Sequence, residues 1–309
     1  MARGVQRTSK NRPSTLWYHI GASFAVIAWG LSFVSTKILL DAGLSTLEAY
    51  VYRFIIAYLI ILAIFHKRLW SHSLRDEMMF LLCGMLSGSV YFMLENTGLE
   101  YTLVSNVSLL TSTSPLLTTL LVGILYKGER ITGGTILGSI VALTGVACVI
   151  FNTSFSGFQV NPLGDCLALL ASLCWALYAI LLRRLTAHYS VWFITRKTFF
   201  YGLLSSLPFL AMEPHFVGFK VLAEPAVWGN IIFLALYASL IAFILWAQAN
   251  KGLGSVKAGN YMYFQPVITL IASAILLGEA ITVVGVTGCA LIIAGVWMGD
   301  WLTRRNAAK

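Results

Sequence analysis

Ten stretches of about 20 mostly apolar residues follow one another along the chain with only short breaks between them. A helix that crosses the hydrocarbon core of a bilayer needs about that many residues. The runs lie at roughly 16–40, 46–66, 77–98, 104–126, 131–151, 163–184, 192–212, 228–249, 257–278 and 281–302. Only 11% of the 309 residues are charged and 58% are hydrophobic, against about 25% charged in soluble domains. Such a chain has too few polar groups to cover its own surface in water, which excludes a soluble enzyme. Lipid satisfies no backbone hydrogen bond, so the spans are expected to be helical. The alternating segments of about 10 residues that mark a transmembrane barrel are absent.

The net charge of +9 is spread between the apolar runs rather than gathered in a patch, and no nucleic-acid motif accompanies it. Its distribution predicts orientation. Sixteen of the 21 basic residues fall on the two tails and on one alternate set of connections, and Lys220 alone falls on the other set. By the positive-inside rule both termini are cytoplasmic. The basic tail before the first run resembles a signal sequence, but the run is too long for one and nine more follow, so an uncleaved first helix is expected. The five cysteines all lie inside apolar runs, where they read as small buried hydrophobes.

The two halves resemble each other. "AWGLSFVSTK" (28–37) aligns with "CWALYAILLR" (174–183), pairing Trp29 with Trp175, and "SPLLTTLLVGILYKGERIT" (114–132) aligns with "QPVITLIASAILLGEAIT" (265–282). Glycines follow Glu129 and Glu279 at the same distances, Gly138 and Gly145 in one half and Gly288 and Gly295 in the other. Five helices per half place the second copy upside down relative to the first, an arrangement common in transporters whose substrate site lies between the halves. The expected architecture is an all-α membrane protein with ten transmembrane helices as two inverted five-helix repeats. A basic tail (1–15) leads into the first repeat (16–151), and an extracytoplasmic linker (152–162) joins it to the second (163–302), which ends in a short tail (303–309).

With Trp29, the segment "ENTGLEYTLVSNVSLLTSTSPLL" (95–117) and the Pro…Gly-Glu…Gly…Gly pattern in both halves, the chain resembles the ten-helix EamA-type family of the drug/metabolite transporter superfamily. The resemblance spans about 16–302. It implies a secondary transporter of the bacterial inner membrane, often an exporter of amino acids or related metabolites, and no single substrate.

Ionisable residues inside a span cost free energy and need a reason. Glu95, beside Asn96, suits recognition of a substrate amine or proton coupling, or else a structural ion pair with Lys37 or Arg53. Ser108, Thr111, Ser112 and Pro115 share one face of the fourth helix with Thr119. The corresponding region of the ninth helix carries Asn260, Tyr263 and Pro266. These two helices are expected to line the pathway and bend at their prolines, with helix–helix hydrogen bonding as the other reading. Trp29, Tyr91, Trp175, Tyr178, Trp246 and Tyr263 lie within spans, where they can face a cavity or pack a core. Trp246 occupies the position equivalent to Glu95, so a cavity would be asymmetric. Glu129 and Glu279 read as caps for the fifth and tenth helices, or as latches pairing Glu279 with Arg53 and Glu129 with Arg196 or Lys197. Small residues at spacing four in the fifth and tenth helices predict a close contact between the halves.

No Gly-Lys dipeptide, G-x-S-x-G or H-E-x-x-H motif occurs, which leaves no nucleotide-binding loop and no hydrolase or metal signature. The expected partners are a small-molecule substrate and the lipid bilayer, with no nucleic acid and no cofactor beyond a coupling proton. The working unit is a monomer, with homodimerisation as the second arrangement.

Overall fold

The computed structural model describes residues 15–66, 68–125, 133–155, 161–212, 216–279 and 281–307. Among these residues every regular element is helical. We number the principal helices α1 (Thr15–Asp41), α2 (Thr46–Ile64), α3 (Leu74–Tyr101), α4 (Val104–Leu125), α5 (Gly133–Phe155), α6 (Pro162–Leu185), α7 (Val191–Met212), α8 (Pro225–Leu253), α9 (Ser255–Gly259, continuing through a 3₁₀ stretch Asn260–Phe264 into Gln265–Leu276) and α10 (Val283–Ala307). Six of them, α1, α2, α3, α4, α6 and α8, are long and apolar enough to cross a membrane.

Helix boundaries follow local chemistry. A capping box starts α2, where Ser45 Oγ accepts from the Glu48 N–H (3.1 Å) and Glu48 Oε2 accepts from the Ser45 N–H (2.9 Å). Ser73 caps α3 three residues ahead of the expected start, because its hydroxyl accepts from the Asp76 N–H at 3.2 Å. Asn161 followed by proline opens α6, and Pro225 opens α8, as proline does in a first helical turn. In α3 the hydrophobic run stops short of a first turn that carries Arg75, Asp76 and Glu77, which explains the shift there.

Packing exchanges the two halves. α3 lies against α6 as α1 lies against α8; α4 lies against α6 as α1 lies against α9; α2, α4 and α5 pack on α7, α9 and α10. Two irregularities also recur. Both third helices widen into a π segment, Met85–Ser89 in α3 and Leu234–Ile241 in α8, and both fourth helices lose regular α geometry one turn before their prolines, at Ser112–Thr113 and Asn260–Phe264. Proline lacks the N–H that would continue the ladder. The π segments carry no comparable signature.

α5 and α10 meet backbone to backbone. A Cβ added at Gly295 would lie 2.6 Å from both Ala142 N and Gly138 O, and one at Gly145 would lie 2.7 Å from Gly288 O. The glycines at matched distances after the Gly-Glu pairs thus face one another. Outward faces are apolar, with Ile27, Leu59, Ile140, Leu170 and Ile275 exposed, whereas Arg53, Glu95, Arg196 and Lys197 are buried. That inversion of the soluble pattern identifies a multi-pass membrane protein.

Candidate functional site

At the centre, α1, α6 and α8 bring three tryptophans together. The Trp29 ring stands edge-on to Trp175 and to Trp246, each at 5.1 Å between centroids. The Trp29 indole N–H donates to the Ala238 carbonyl at 2.9 Å. Ala238 lies in the π segment of α8, where altered backbone pairing gives a side chain access to a carbonyl.

Two small cavities flank this cluster. The larger, about 20 Å³, is walled by Trp29, Phe92, Trp175 and Phe243, and Arg53, Tyr91, Glu95 and Gln265 supply its polar groups. The smaller, about 10 Å³, is bounded by Ser114, Pro115, Thr118, Trp246, Asn250 and Gly259. Trp175 and Met262 line both and so stand between them. Each has room for about one water molecule. A roomier groove of about 520 Å³ between α4, α5 and α6 is lined by six leucines with Thr113, Ser139 and Cys166, and opens beside exposed Leu170 and Leu173. It carries no charged residue in its lining.

In the larger cavity Glu95 is 6% exposed and Arg53 2%. Tyr91 Oη donates to Glu95 Oε1 at 2.7 Å. Arg53 Nε donates to Ser239 Oγ at 2.9 Å, and its guanidinium lies 4.6 Å from the Phe92 ring centre. Arg53 Nη2 and Gln265 Oε1 are buried without a hydrogen-bond partner among the described residues. Lys37 pairs instead with Asp41 at 3.1 Å and reaches the Leu99 carbonyl, so it does not neutralise Glu95.

The hydroxyl face of α4 does not line either cavity at Ser108, Thr111 or Ser112. Ser108 donates to Thr269 Oγ1 at 2.8 Å, which in turn donates to the Gly30 carbonyl at 2.9 Å, tying α4, α9 and α1 together. Thr111 and Ser112 donate to carbonyls of their own helix, because a helical hydroxyl reaches the preceding turn more readily than a cavity. Asn96 donates to the Thr46 carbonyl at 3.0 Å. Tyr263 packs with Phe33 and Leu109 in a second apolar cluster, Tyr178 leans on Trp175 at 5.2 Å, and Asn260 and Pro266 line neither cavity. Gln265, Ser32 and Phe243 were not singled out by the sequence. The internal repeat offered a signal for one of them, since Gln265 and Ser114 precede the matched prolines and each faces a cavity.

The expected latches take other partners. Glu279 accepts from the backbone N–H groups of Val104 (2.9 Å) and Ser105 (3.4 Å) and from Ser105 Oγ (2.6 Å). It caps α4 of the opposite half, not α10, and does not reach Arg53. Gly278, at φ +71°, makes the turn that aims it there. Arg196 donates to the Phe65 and Arg68 carbonyls, fastening α7 to the segment between α2 and α3, and Lys197 pairs with Glu77 in the first turn of α3 at 2.7 Å. Glu129 lies outside the described residues. Glu279→Ala removes charge-assisted bonds from two backbone donors. It should lower unfolding free energy by about 2 kcal/mol, read as a fall in the detergent melting temperature, while Glu279→Gln should recover part of the loss.

No group of three or more His, Cys, Asp or Glu side chains able to hold a metal occurs among the described residues. Fold and site together define a multi-pass membrane protein with a charged, aromatic-walled cavity between two similar halves. Comparison with known proteins names the group: the profile of the EamA-like transporter family matches twice, over residues 16–151 and 162–298. The chain belongs to the EamA-like transporter family. It is 29% identical to the uncharacterized transporter YyaM of Bacillus subtilis (80% of this chain, 81% of the relative). It is 28% identical to a probable terminal-alkyne amino-acid exporter of Streptantibioticus cattleyicolor (76% of each). A crystal structure at 19% identity superposes with a TM-score of 0.67 over 93% of this chain and 98% of its own, a likeness of fold.

Proposed function

We propose that this chain is a secondary active or facilitative transporter of small metabolites, amino acids first, acting as an exporter by alternating access. The observation that carries the reading is the pair Glu95 and Arg53, buried at one cavity between the halves and separated from a second cavity by Trp175 and Met262. Charged groups inside a membrane protein mark substrate or ion pathways, and a site between inverted repeats lets one half rock against the other. The amino-acid exporter among its relatives supports the substrate class.

The architecture we propose is ten spans in two inverted repeats, 16–151 and 163–302, joined by an extracytoplasmic linker at 152–162, with cytoplasmic tails at 1–15 and 303–309. It sits in a bacterial inner membrane and works as a monomer, or else as a homodimer. It needs no cofactor beyond a coupling proton, binds no nucleic acid and catalyses no covalent reaction. A second reading, export of amphipathic organic cations, is favoured by a carboxylate among aromatic rings.

The test is counterflow into proteoliposomes preloaded with mixed unlabelled amino acids. Saturable accumulation of a labelled amino acid is expected. None, from protein shown to be folded, would remove amino acids as the substrate class, and accumulation of labelled tetraphenylphosphonium alone would move the assignment to cations.

A further inference from the structure

Two buried charges of opposite sign line one water-sized cavity, and the protein satisfies each of them on one side only. Glu95 receives the Tyr91 hydroxyl on Oε1. Arg53 is held from behind by Ser239 through Nε and lies over Phe92 and Phe54, at 4.6 and 5.2 Å. Its Nη2 has no acceptor among the described residues, although Arg53 is nearly inaccessible. Buried donors are almost always paired, and an unpaired one on a charged group is costly. A guanidinium anchored at Nε with a terminal nitrogen to spare is shaped to receive a carboxylate. Gln265 lines the same cavity, and its Oε1 is a buried acceptor without a donor among the described residues.

We infer that the cavity recognises the two ends of a zwitterion, with Arg53 taking the α-carboxylate of an amino acid and Glu95, assisted by Gln265, taking its α-ammonium group. This deepens the transport reading above and rests on it. The rest of the lining, the aromatic Trp29, Phe92, Trp175 and Phe243 with Met262 and Ser32, carries no charge and leaves the substrate side chain a largely apolar environment, so neutral amino acids with apolar side chains are the class admitted.

Charge accounting makes the recognition exclusive. A ligand with only a cationic group satisfies Glu95 and leaves the Arg53 guanidinium desolvated and unpaired, while one with only an anionic group does the reverse. Either outcome strands a buried charge, a large penalty in a site with room for so little water. Discrimination of this kind exceeds what a hydrophobic pocket achieves between similar shapes. The second half of the protein does not duplicate the arrangement. Trp246 stands where the repeat aligns Glu95, and the second cavity is lined by no acidic or basic residue. Both ends of the zwitterion are therefore held at the cavity beside α2 and α3, and the other cavity only passes it on.

The test uses the unaltered protein in proteoliposomes. For whichever labelled amino acid shows counterflow, three unlabelled competitors are compared: the same amino acid, its decarboxylated amine and its N-acetyl form. Both analogues should compete at least about 100-fold less well than the amino acid. In Arg53→Gln the preference for the amino acid over the amine should shrink to about 10-fold or less, with the preference over the N-acetyl form kept; Glu95→Gln should show the converse. Counterflow in which the amine competes as well as the amino acid would overturn the zwitterion site while leaving the transporter intact. Absence of counterflow for every amino acid would overturn the transport reading itself, and this inference with it. Because the competitor series needs no substitution, a variant that fails to fold leaves the proposal testable.

Discussion

Glu95→Gln is expected to reduce amino-acid counterflow about 100-fold while the protein still reaches the membrane and unfolds cooperatively. The substitution keeps the shape of the side chain and an oxygen for the Tyr91 hydroxyl, which donates to it at 2.7 Å. It removes the negative charge that balances Arg53 across the cavity. A hydrogen bond to a charged group contributes about 1.5–3 kcal/mol, and the upper end of that range corresponds to roughly two powers of ten in rate or affinity. Transport and thermal unfolding are measured on the same preparation. Counterflow at the parent rate would reduce Glu95 to a structural partner of Tyr91 and Arg53.

Gly295→Leu is expected to have the largest effect on folding. Its first side-chain carbon would lie 2.6 Å from the Ala142 nitrogen and from the Gly138 carbonyl oxygen, both backbone atoms of α5. Neither can rotate away, so α5 and α10 must separate along their length. Overpacking in well-packed cores costs about 1–3 kcal/mol where side chains can give way, and here none is available to give, so loss of folded protein in detergent extracts is expected. The control is Gly229→Ala in α8, where an added Cβ meets nothing within 4 Å. That variant should be neutral or gain up to about 1 kcal/mol from helix propensity. Equal melting temperatures for Gly295→Leu and the parent would mean that α5 and α10 do not pack in this way.

Much of the scaffold was legible because membrane folding leaves coarse marks on sequence. Long apolar runs, the duplicated Pro…Gly-Glu…Gly…Gly pattern and the spacing of glycines in α5 and α10 follow directly from span length, duplication and close backbone approach. The helix interruptions before Pro115 and Pro266 were legible for the same kind of reason, since a missing N–H acts wherever the residue sits. The site was legible only in its parts. Glu95, Trp29, Trp175 and Trp246 stood out as unusual inside spans, whereas Gln265 and the cavity role of Arg53 did not, and the sequence left the hydroxyls of α4 open between a pathway and helix contacts, where Ser108 joins α4 to α9 while Thr111 and Ser112 bond their own helix.

The physical reason is that lipid and protein interior are both apolar. In a soluble helix the polar face shows which side meets water; in α2 or α7 apolar residues surround the axis and do not reveal which face turns inward. A hydroxyl on such a helix bonds its own backbone or a neighbouring helix equally well, and only packing decides between them. Glu279 makes the point most sharply. Sequence alone determined that a carboxylate follows α9, and left it open between free N–H groups at a helix start, which helix termini supply, and a latch to Arg53. That it crosses to α4 of the other half, and that Arg53 is thereby left to share a cavity with Glu95, was decided by how the two halves fold against each other.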